Sequence, residues 1–289
     1  MEPNKTSYIA DSLRCDLHTH SVFSDGTYTP GELVARAKQL GLIIALTDHN
    51  TVAGLPEFMQ AAREHGVTAV PGVEISTEHN GTELHLLGLF IEPEHYAAID
   101  WMVKEQHVLK EISNMELVER LNQAGYLIDY AKVKDRNPNG NANRAHVAAE
   151  LLERGYVLSV REAFDTLLSD RGGFYVPPSR LQLTDVIKEL RRIGVLPVLA
   201  HPLQELTEPE LRALLPAAIE AGLIGMESMH SSYTQETIWL AESIAKEFNL
   251  LTSGGSDFHG TVKPDVSLGN GKGQLCIPAS VYFNLLAAL

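Results

Sequence analysis

Residues 14–26, RCDLHTHSVFSDG, decide how the rest of the chain is interpreted. The first five of these residues are typical of the end of a buried strand, and His18 and His20 lie two residues apart. In extended backbone alternate side chains share a face, so both imidazoles face the same side. Two imidazoles at the end of a strand form half of a metal site. Because a lone HxH pair often arises by chance, its meaning depends on the residues that end the other strands.

The composition is that of a globular protein, long enough for one large α/β domain or two smaller ones: 289 residues, 44% hydrophobic and 21% charged. The net charge of −14 disfavours binding of long nucleic acid by the general surface. A small anionic substrate held by metal ions is compatible with it. Cys15 and Cys276 predict free thiols rather than a disulfide. Neither a signal peptide nor a membrane-spanning run is present in the sequence, so we expect a cytoplasmic protein without a membrane partner.

Strands and helices alternate in the first and last parts of the chain, which predicts parallel βα units. The predicted strands are residues 14–18, 42–47, 68–73, 83–90, 195–200, 223–227 and 250–253. The predicted helices are residues 30–40, 55–65, 184–192, 208–221 and 235–248. Asn80-Gly81 predicts a hairpin turn. Seven strands favour a barrel-like (β/α) fold over an open sheet.

The middle of the chain follows a different pattern, without a buried strand. It contains a long helix predicted over 96–124, a polar loop at 134–143 and two shorter helices at 145–154 and 160–168, and it closes on Gly172, Gly173, Pro177 and Pro178. Apolar residues recur along the long helix at helical spacing: Trp101, Val108, Ile112, Met115 and Leu121. We therefore predict a barrel from residues 1–101 and 179–289 and a helical insertion subdomain from residues 102–178.

Histidines and carboxylates cluster directly after the apolar strands, where the carboxyl ends of barrel strands meet on one face. The residues are His18, His20, Asp48, His49, Glu74, His201, Asp257 and His259, with His85 early in the hairpin strand. Four histidines outside this set, His65, His79, His95 and His107, are predicted to be solvated. Imidazoles with carboxylates and no cysteine suit manganese, zinc or iron. The set exceeds what one ion needs, so more than one divalent ion is expected.

Five motifs, DLHTHSVFSDG, LTDHN, GVE, AHP and GSDFHG, run in order from Asp16 to Gly260. In this the chain resembles the PHP (polymerase and histidinol phosphatase) family of metal-dependent phosphoesterases. The resemblance implies a distorted seven-stranded (β/α) barrel with a helical insertion. It also implies three ion positions: His18, His20, Glu74 and Asp257; then Glu74, His85 and His201; then Asp25, His49 and His259. Many relatives carry histidine where this chain has Asp25.

The predicted reaction is hydrolysis of a phosphomonoester by attack of a metal-activated water, because two or three divalent ions bind phosphoryl oxygens and lower the pKa of water. Manganese is the ion that we expect first, with zinc or iron as alternatives. Asp48, Asp257 or a metal-site histidine such as His259 would relay protons, and the sequence does not choose among them. No serine or cysteine nucleophile has a recognisable motif.

Substrate recognition requires further cations, and one helix start offers them. Asn143, Arg144 and His146 begin the helix at 145–154, and a helix N-terminus with an arginine is a good anion site. An ordinary capped surface helix explains the same residues equally well. Arg180 and His230 are weaker candidates of the same kind. The segment around Lys272, GNGKG, lacks the spacing of a phosphate loop and is interpreted as a turn.

The insertion resembles that of a subgroup which removes phosphate from nucleoside 3′,5′-bisphosphates or trims short oligonucleotides from the 5′ end. We therefore expect a small phosphorylated nucleotide as substrate, with a 5′-3′ exonuclease as the alternative. An amidohydrolase-type C–N hydrolase is an alternative of another class. A binding module with a degenerate metal site would lack ligands, and here nearly all are present. The sequence indicates no protein partner.

Overall fold

The computed structural model describes residues 13–136, 142–169 and 173–289, except for the side chain of Glu105. The predicted loop at 134–143 lies partly outside these ranges, and Gly172 lies wholly outside them. Among the helices of the described ranges, none is both long and apolar enough to cross a membrane.

The described strands form one curved sheet. They are β1 Arg14–Asp16, β2 Leu42–Leu46, β3 Ala69–His79, β4 Thr82–Leu89, β5 Leu181–Gln182, β6 Leu196–Leu199, β7 Gly225–His230 and β8 Leu251–Gly255. Seven of them run in the order β1-β2-β3-β4-β6-β7-β8, and the short β5 pairs with β3. All pairs are parallel except those that β4 makes with β3 and β6.

The two ends of the sheet meet through backbone hydrogen bonds. The Leu17 N–H donates to the carbonyl of Gly254 at 3.1 Å, and the Asp257 N–H donates to the carbonyl of His18 at 2.9 Å. These bonds join the residues after β1 to the end of β8 and the loop that follows it, and they bring both carboxyl ends to the same rim. The result is a nearly closed barrel, so the predicted barrel and its seven strands are confirmed.

The helices of the described ranges agree with the predicted ones within a few residues. They are α1 Pro30–Leu40, α2 Leu55–His65, α3 Tyr96–Gln123, α4 Tyr130–Asp135, α5 Arg144–Glu153, α6 Val160–Ala163, α7 Leu183–Arg192, α8 Glu208–Ala221, α9 Gln235–Glu247 and α10 Ser280–Leu286, with a π-helical turn Phe164–Leu168 after α6. Helix α1 shows why the ends of a helix can be predicted from the sequence. Thr29 and Glu32 form a capping box, Pro30 opens the first turn, and Gly41 ends the helix with φ of 64°.

Four elements were predicted wrongly or not at all, and one of them is the last helix, α10, for which no helix was predicted. Helix α4 lies beside the predicted polar loop, where Asp129 caps it by accepting from the Ala131 N–H at 2.9 Å. Strand β5 has only two residues, too few to give a sequence pattern. Strand β3 continues six residues beyond the predicted end at 73, to His79, because β4 pairs along that length.

The barrel strands are buried on both faces, as β2 shows. All five of its residues are buried. Leu42, Ile44 and Leu46 pack with the surrounding helices, whereas Ile43 and Ala45 pack inside the barrel. This alternation within a continuous apolar run is what parallel strands between two apolar layers require.

The insertion has a hydrophobic cluster separate from the two barrel clusters. It includes Leu117, Leu121, Val147 and Leu151 from α3 and α5. Helix α3 also carries an exposed stripe, because Trp101, Val108, Ile112 and Met115 keep between 49% and 80% of their side-chain surface in solvent. Their spacing correctly predicted a helix, but these residues do not mark its buried face.

Closure of the barrel gives a test of stability. A Cβ atom at Gly255 would lie 2.2 Å from Cβ of His18, so we expect Gly255→Ala to lower the free energy of unfolding by about 1–3 kcal/mol or more. At Gly31, in α1, the nearest atom would be 3.5 Å away, and Gly31→Ala should stabilise the helix by roughly 0.5–1 kcal/mol. Urea denaturation compares the two variants, and equal midpoints would contradict the prediction.

Candidate metal centre

The predicted metal-binding residues converge at the rim where the barrel strands end. His18 and His20 follow β1, His49 follows β2, His201 follows β6, and Asp257 and His259 follow β8. Glu74 lies within β3, held beside the end of β2 because its N–H donates to the Asp48 carbonyl at 3.2 Å. His85 lies on β4 opposite Ser76, two residues from Glu74, so both side chains face the same side. His85 therefore faces the cluster although it does not follow the end of a strand.

Glu74 is the centre of the cluster, and its two carboxylate oxygens face different histidines. Oε2 lies 3.1 Å from Nε2 of His18, 3.2 Å from Nε2 of His20 and 3.1 Å from Nδ1 of His49. Oε1 lies 2.8 Å from Nδ1 of His85 and 3.1 Å from Nε2 of His201. Burial alone would raise the pKa of Glu74, but the surrounding imidazoles hold it well below its usual value. This carboxylate is placed to bridge two cations.

Many of these buried atoms have no hydrogen-bond partner, which is unusual because buried polar atoms are nearly always paired. The unpaired atoms include Nε2 of His18, Nε2 of His20, Oδ1 of Asp25, Oε2 of Glu74, Nδ1 of His85, Nδ1 of His201 and Nε2 of His230. Two of these nitrogens, Nε2 of His18 and Nε2 of His20, lie 3.1 and 3.2 Å from the unpaired Oε2 of Glu74 without hydrogen-bond geometry. A set of inward-facing imidazole nitrogens and carboxylate oxygens fits divalent metal ions.

Three groups of ligand atoms have metal-site dimensions, each with its atoms within 4.8 Å of one another. They are His20, Asp25, His49 and His259; then His18, His20 and Glu74; then His49, Glu74 and His85. The first contains all three residues implied for the third ion position. The second contains three of the four residues implied for the first position. The third group has His49 where the resemblance implies His201, although Nε2 of His201 lies 3.1 Å from Glu74.

Asp25 stands among histidines. Its Oδ1 lies 3.2 Å from Nε2 of His259, and its Oδ2 lies 4.0 Å from Nε2 of His49. Burial opposes ionisation, yet His259 and His49 hold the pKa of Asp25 well below its ordinary value. The carboxylate therefore takes the place of a third imidazole in this group.

Glu227 is a buried residue at the centre that the sequence analysis missed. Its carboxylate lies 3.1 Å from Nδ1 of His18 and accepts from the backbone N–H of His201 at 2.8 Å. A fourth group of close ligand atoms contains these three residues. Glu227 engages Nδ1 of His18, the ring nitrogen opposite the one that faces Glu74, and is thus placed to orient this imidazole. Carboxylates fix the tautomer of metal-binding histidines in this way.

Two further buried carboxylates hold the loops that carry the cluster. Asp16 accepts from the N–H and hydroxyl of Ser256 and from the N–H of Gly269, at 2.6–2.8 Å. Asp48 accepts from the N–H and hydroxyl of Ser21 and from the hydroxyl of Ser24, at 2.5–2.7 Å. Burial raises the pKa of both groups. Both oxygens of Asp48 are thus engaged in holding the loop after β1.

Backbone strain is concentrated in the same region. His201 has φ of 28° and Asp257 has φ of 55°, both in the left-handed region that residues other than glycine rarely adopt. Each sits where a strand ends and its side chain turns into the cluster. Strain of this kind persists where surrounding contacts over-determine it, as they do at functional sites.

The predicted substrate-binding arginines meet at a single carboxylate beside the cluster. Glu83 lies 2.5 Å from Arg180 and 3.5 Å from Arg144, and its other oxygen lies 3.6 Å from Nε2 of His85. The guanidinium of Arg144 also stacks 4.2 Å from the ring of Tyr175. Lys110 of α3, missed from the sequence, interacts electrostatically with Asp25 and Glu83, and burial lowers its pKa. The insertion thus adds basic side chains at one side of the cluster.

The other predicted substrate-binding residues have different surroundings. Asn143 and His146 form a capping box at the start of α5, so their mutual hydrogen bonds explain their spacing. His230 is buried at the end of β7, with Nδ1 2.9 Å from Gln204 and Nε2 3.6 Å from Oδ2 of Asp257. His230 therefore lies at the metal cluster itself rather than with the arginines.

The expectation that His107 is solvated was wrong. Its side chain is half-buried, and Nε2 lies 2.5 Å from the backbone carbonyl of Asn50, next to His49. Burial lowers the pKa of His107. This contact ties α3 to the loop after β2, and helical periodicity alone gave no sign of it.

Comparisons with known proteins agree with this geometry. Residues 16–163 match the model of the PHP domain family. A 5'-3' exoribonuclease of Haemophilus influenzae is 34% identical over 84% of this chain and 89% of its own length. A 3',5'-nucleoside bisphosphate phosphatase of Chromobacterium violaceum is 30% identical over 84% of this chain and 86% of its own. A solved metal-dependent phosphoesterase of Bifidobacterium adolescentis superposes with a TM-score of 0.85 at 29% identity, covering 96% of both chains.

The orienting role of Glu227 predicts a loss of metal affinity on substitution. In Glu227→Gln an amide NH₂ would face a ring N–H or a backbone N–H, so the variant should bind Mn²⁺ about 10–100-fold more weakly. Competition with a chelator measures this affinity. Glu189→Gln, at an exposed pair with Arg192, is the control. Unchanged affinity in Glu227→Gln would show that His18 does not need this partner.

Proposed function

Because this chain belongs to the PHP domain family of metal-dependent phosphoesterases, we propose that it hydrolyses a phosphomonoester of a small nucleotide of the 3′,5′-bisphosphate type. The observation that carries this proposal is the pairing of an imidazole–carboxylate cluster with basic side chains beside it. The cluster suits the phosphate that is cleaved, and the arginines suit a phosphate that is not. The same family membership favours hydrolysis of phosphoric esters over the C–N hydrolysis that we kept as an alternative.

We assign the ions to the residues implied by the resemblance. His18, His20, Glu74 and Asp257 would hold one ion; Glu74, His85 and His201 a second; and Asp25, His49 and His259 a third. The common donor, Glu74, supports this division because its two oxygens face different imidazoles. We still expect two or three divalent ions. Manganese is the first candidate, because oxygen and nitrogen donors without a thiolate suit this metal.

When bound, the ions would polarise phosphoryl oxygens and lower the pKa of water. The chain's own residues then orient substrate and move protons. We propose that Asp257 or His259 accepts a proton, since both lie at the cluster, with Oδ1 of Asp257 3.4 Å from Nδ1 of His259. Asp48 is engaged by Ser21 and Ser24, so we propose that it positions the loop after β1 instead of relaying protons.

The distal phosphate is assigned to Arg144 and Arg180, with Lys110 beside them. Glu83 holds both guanidinium groups and lies 3.6 Å from His85, which keeps these cations close to the reacting centre. An arginine in such a position donates two parallel hydrogen bonds to phosphate. Asn143 and His146 support the site indirectly by capping the helix that begins at Arg144.

Trimming of short oligonucleotides is the second candidate function, favoured by the similarity to the exoribonuclease. The same cations would then hold the phosphate that follows the cleaved bond. The net charge of −14 argues against long substrates in either case, because extra phosphates would meet repulsion outside the site.

We also propose that residues 102–178 act as one substrate-selecting unit on a barrel made of 1–101 and 179–289. The separate hydrophobic cluster within the insertion supports this division. Two contacts, His107 to Asn50 and Arg144 to Glu83, connect it to the barrel at the cluster.

The function is tested by metal content and a substrate screen. Protein prepared without chelator should hold at least two transition-metal ions per chain, since the ligand atoms exceed the needs of one ion. The screen compares phosphomonoesters, nucleoside bisphosphates and short oligonucleotides. Glu74→Ala should abolish turnover without unfolding the chain, and His65→Ala, on the exposed end of α2, is the control. Metal content near zero, with no activity on adding manganese, zinc or iron, would refute the proposal.

Arg144 gives a separate test of substrate choice. A charge-assisted hydrogen bond is worth roughly 1.5–3 kcal/mol, so Arg144→Ala should lower kcat/KM for a bisphosphate about tenfold to a hundredfold. The loss should largely vanish with a monophosphate that lacks the distal group. Arg161→Ala, whose side chain is 90% exposed on the insertion, is the matched control. Equal losses on both substrates would remove Arg144 from the site.

A further inference from the structure

Lys263 reaches into the metal cluster from the loop after β8, and the assignments above give it no role. Its Nζ lies 2.5 Å from Oδ2 of Asp257, and it interacts electrostatically with Asp25 and Glu74 as well. The side chain is 39% exposed, whereas His18 and His20 are fully buried. Its ammonium group therefore stands at the mouth of the cluster. Pro264 follows directly and restricts the backbone of Lys263 to extended conformations.

The two oxygens of Asp257 face in different directions, which decides what Lys263 does there. Oδ1 lies 3.2 Å from Nε2 of His20 and 3.7 Å from Nε2 of His18, on the side of the proposed ion. Oδ2 lies beside Lys263, with Nε2 of His230 at 3.6 Å. An ion bound through Oδ1 would leave the contact with Lys263 in place. Lys263 thus pairs with Oδ2 of Asp257 and leaves Oδ1 to the proposed ion.

Charge counting shows that the lysine is not needed to neutralise the loaded cluster. The carboxylates of the cluster, Asp25, Glu74, Glu227 and Asp257, carry four negative charges. Two divalent ions already bring about four positive charges, so a further ammonium group a few ångströms away repels them. A phosphoryl group brings roughly two negative charges to the same place. Its oxygens are the natural partner for this cation.

We propose that Lys263 is a phosphate-binding residue whose ammonium contacts the phosphoryl group held at the metal cluster. This inference rests on the proposed function of the same site. Lys263 then approaches the reacting phosphate from the β8 side, while Lys110, Arg144 and Arg180 lie on the side of the insertion. If Lys263 binds phosphate, its charge should weaken metal binding. If Lys263 only held Asp257 in position, it should instead strengthen metal binding.

The two roles therefore predict opposite changes in Mn²⁺ affinity when the charge of Lys263 is removed, and the experiment measures this change. Three variants are compared with wild type: Lys263→Met removes the charge and keeps the length, Lys263→Arg keeps the charge, and Lys272→Met is the control. Lys272 belongs to the same C-terminal segment, where it pairs with Asp265 at the surface at 3.3 Å. Near-ultraviolet circular dichroism verifies that each variant is folded.

Two binding constants are measured, neither of which requires turnover. Chelator competition gives the affinity of the metal-stripped protein for Mn²⁺, and calorimetry gives the affinity of the Mn²⁺-loaded protein for inorganic phosphate. Lys263→Met should bind Mn²⁺ at least about threefold more tightly, because a repelling charge is gone. It should bind phosphate roughly tenfold to a hundredfold more weakly, because a charge-assisted hydrogen bond is lost. Lys263→Arg should retain phosphate binding, and Lys272→Met should match wild type.

The outcomes separate this inference from the proposed function. Weaker phosphate binding with unchanged or tighter Mn²⁺ binding supports it. Weaker Mn²⁺ binding in Lys263→Met would make the lysine a brace for Asp257 and overturn it, as would unchanged phosphate binding. A wild-type protein that hydrolyses no phosphoester but binds phosphate through Lys263 would refute only the proposed function.

Discussion

The buried carboxylate of Glu74 is the charge around which the side chains of the barrel rim are arranged. Imidazoles from four segments lie within 2.8–3.2 Å of its two oxygens. A buried charge without partners would cost several kcal/mol, so the barrel rim is stable only when these segments, or cations between them, surround it. The sheet has to curve for this to happen, because His18 and His20 follow β1 at one end of the sheet order, whereas His201 follows β6, the fifth strand in that order. The metal cluster therefore depends on the curvature of the barrel.

Around this centre, other buried carboxylates hold loops and side chains through hydrogen bonds. Asp16 and Asp48 pin the loops after β8 and β1, and Glu227 orients His18 from behind. Each accepts two or three hydrogen bonds while buried, which is the condition under which an ionised group is tolerated inside a protein. The strained backbone at Asp257 is held by the same surroundings. The rigidity of the site thus comes from hydrogen bonds outside the ligand set.

The barrel and the insertion contribute different kinds of side chain to the site. The barrel supplies nearly all the metal-binding groups, while the insertion supplies basic groups at Arg144 and Lys110 and contacts the barrel beside the cluster. The chain as a whole carries a net charge of −14, and these basic groups lie where a phosphorylated substrate would bind. Focusing of charge in this manner favours small anions over long polyanions. Selectivity for small phosphorylated substrates would then follow from where the positive charges lie and not from the net charge of the chain.

The sequence by itself determined the features that depend on local signals. Strand ends, the Thr29 cap and the Asn80-Gly81 turn are each encoded within a few residues, and they sufficed to predict the barrel and the residues at its rim. Only the tertiary structure revealed the contacts of Glu227, His107 and Lys263. Glu227 meets His18 across 209 residues, and His107 meets Asn50 across 57. Such contacts leave no periodic pattern, because they arise when closure of the barrel brings distant loops together.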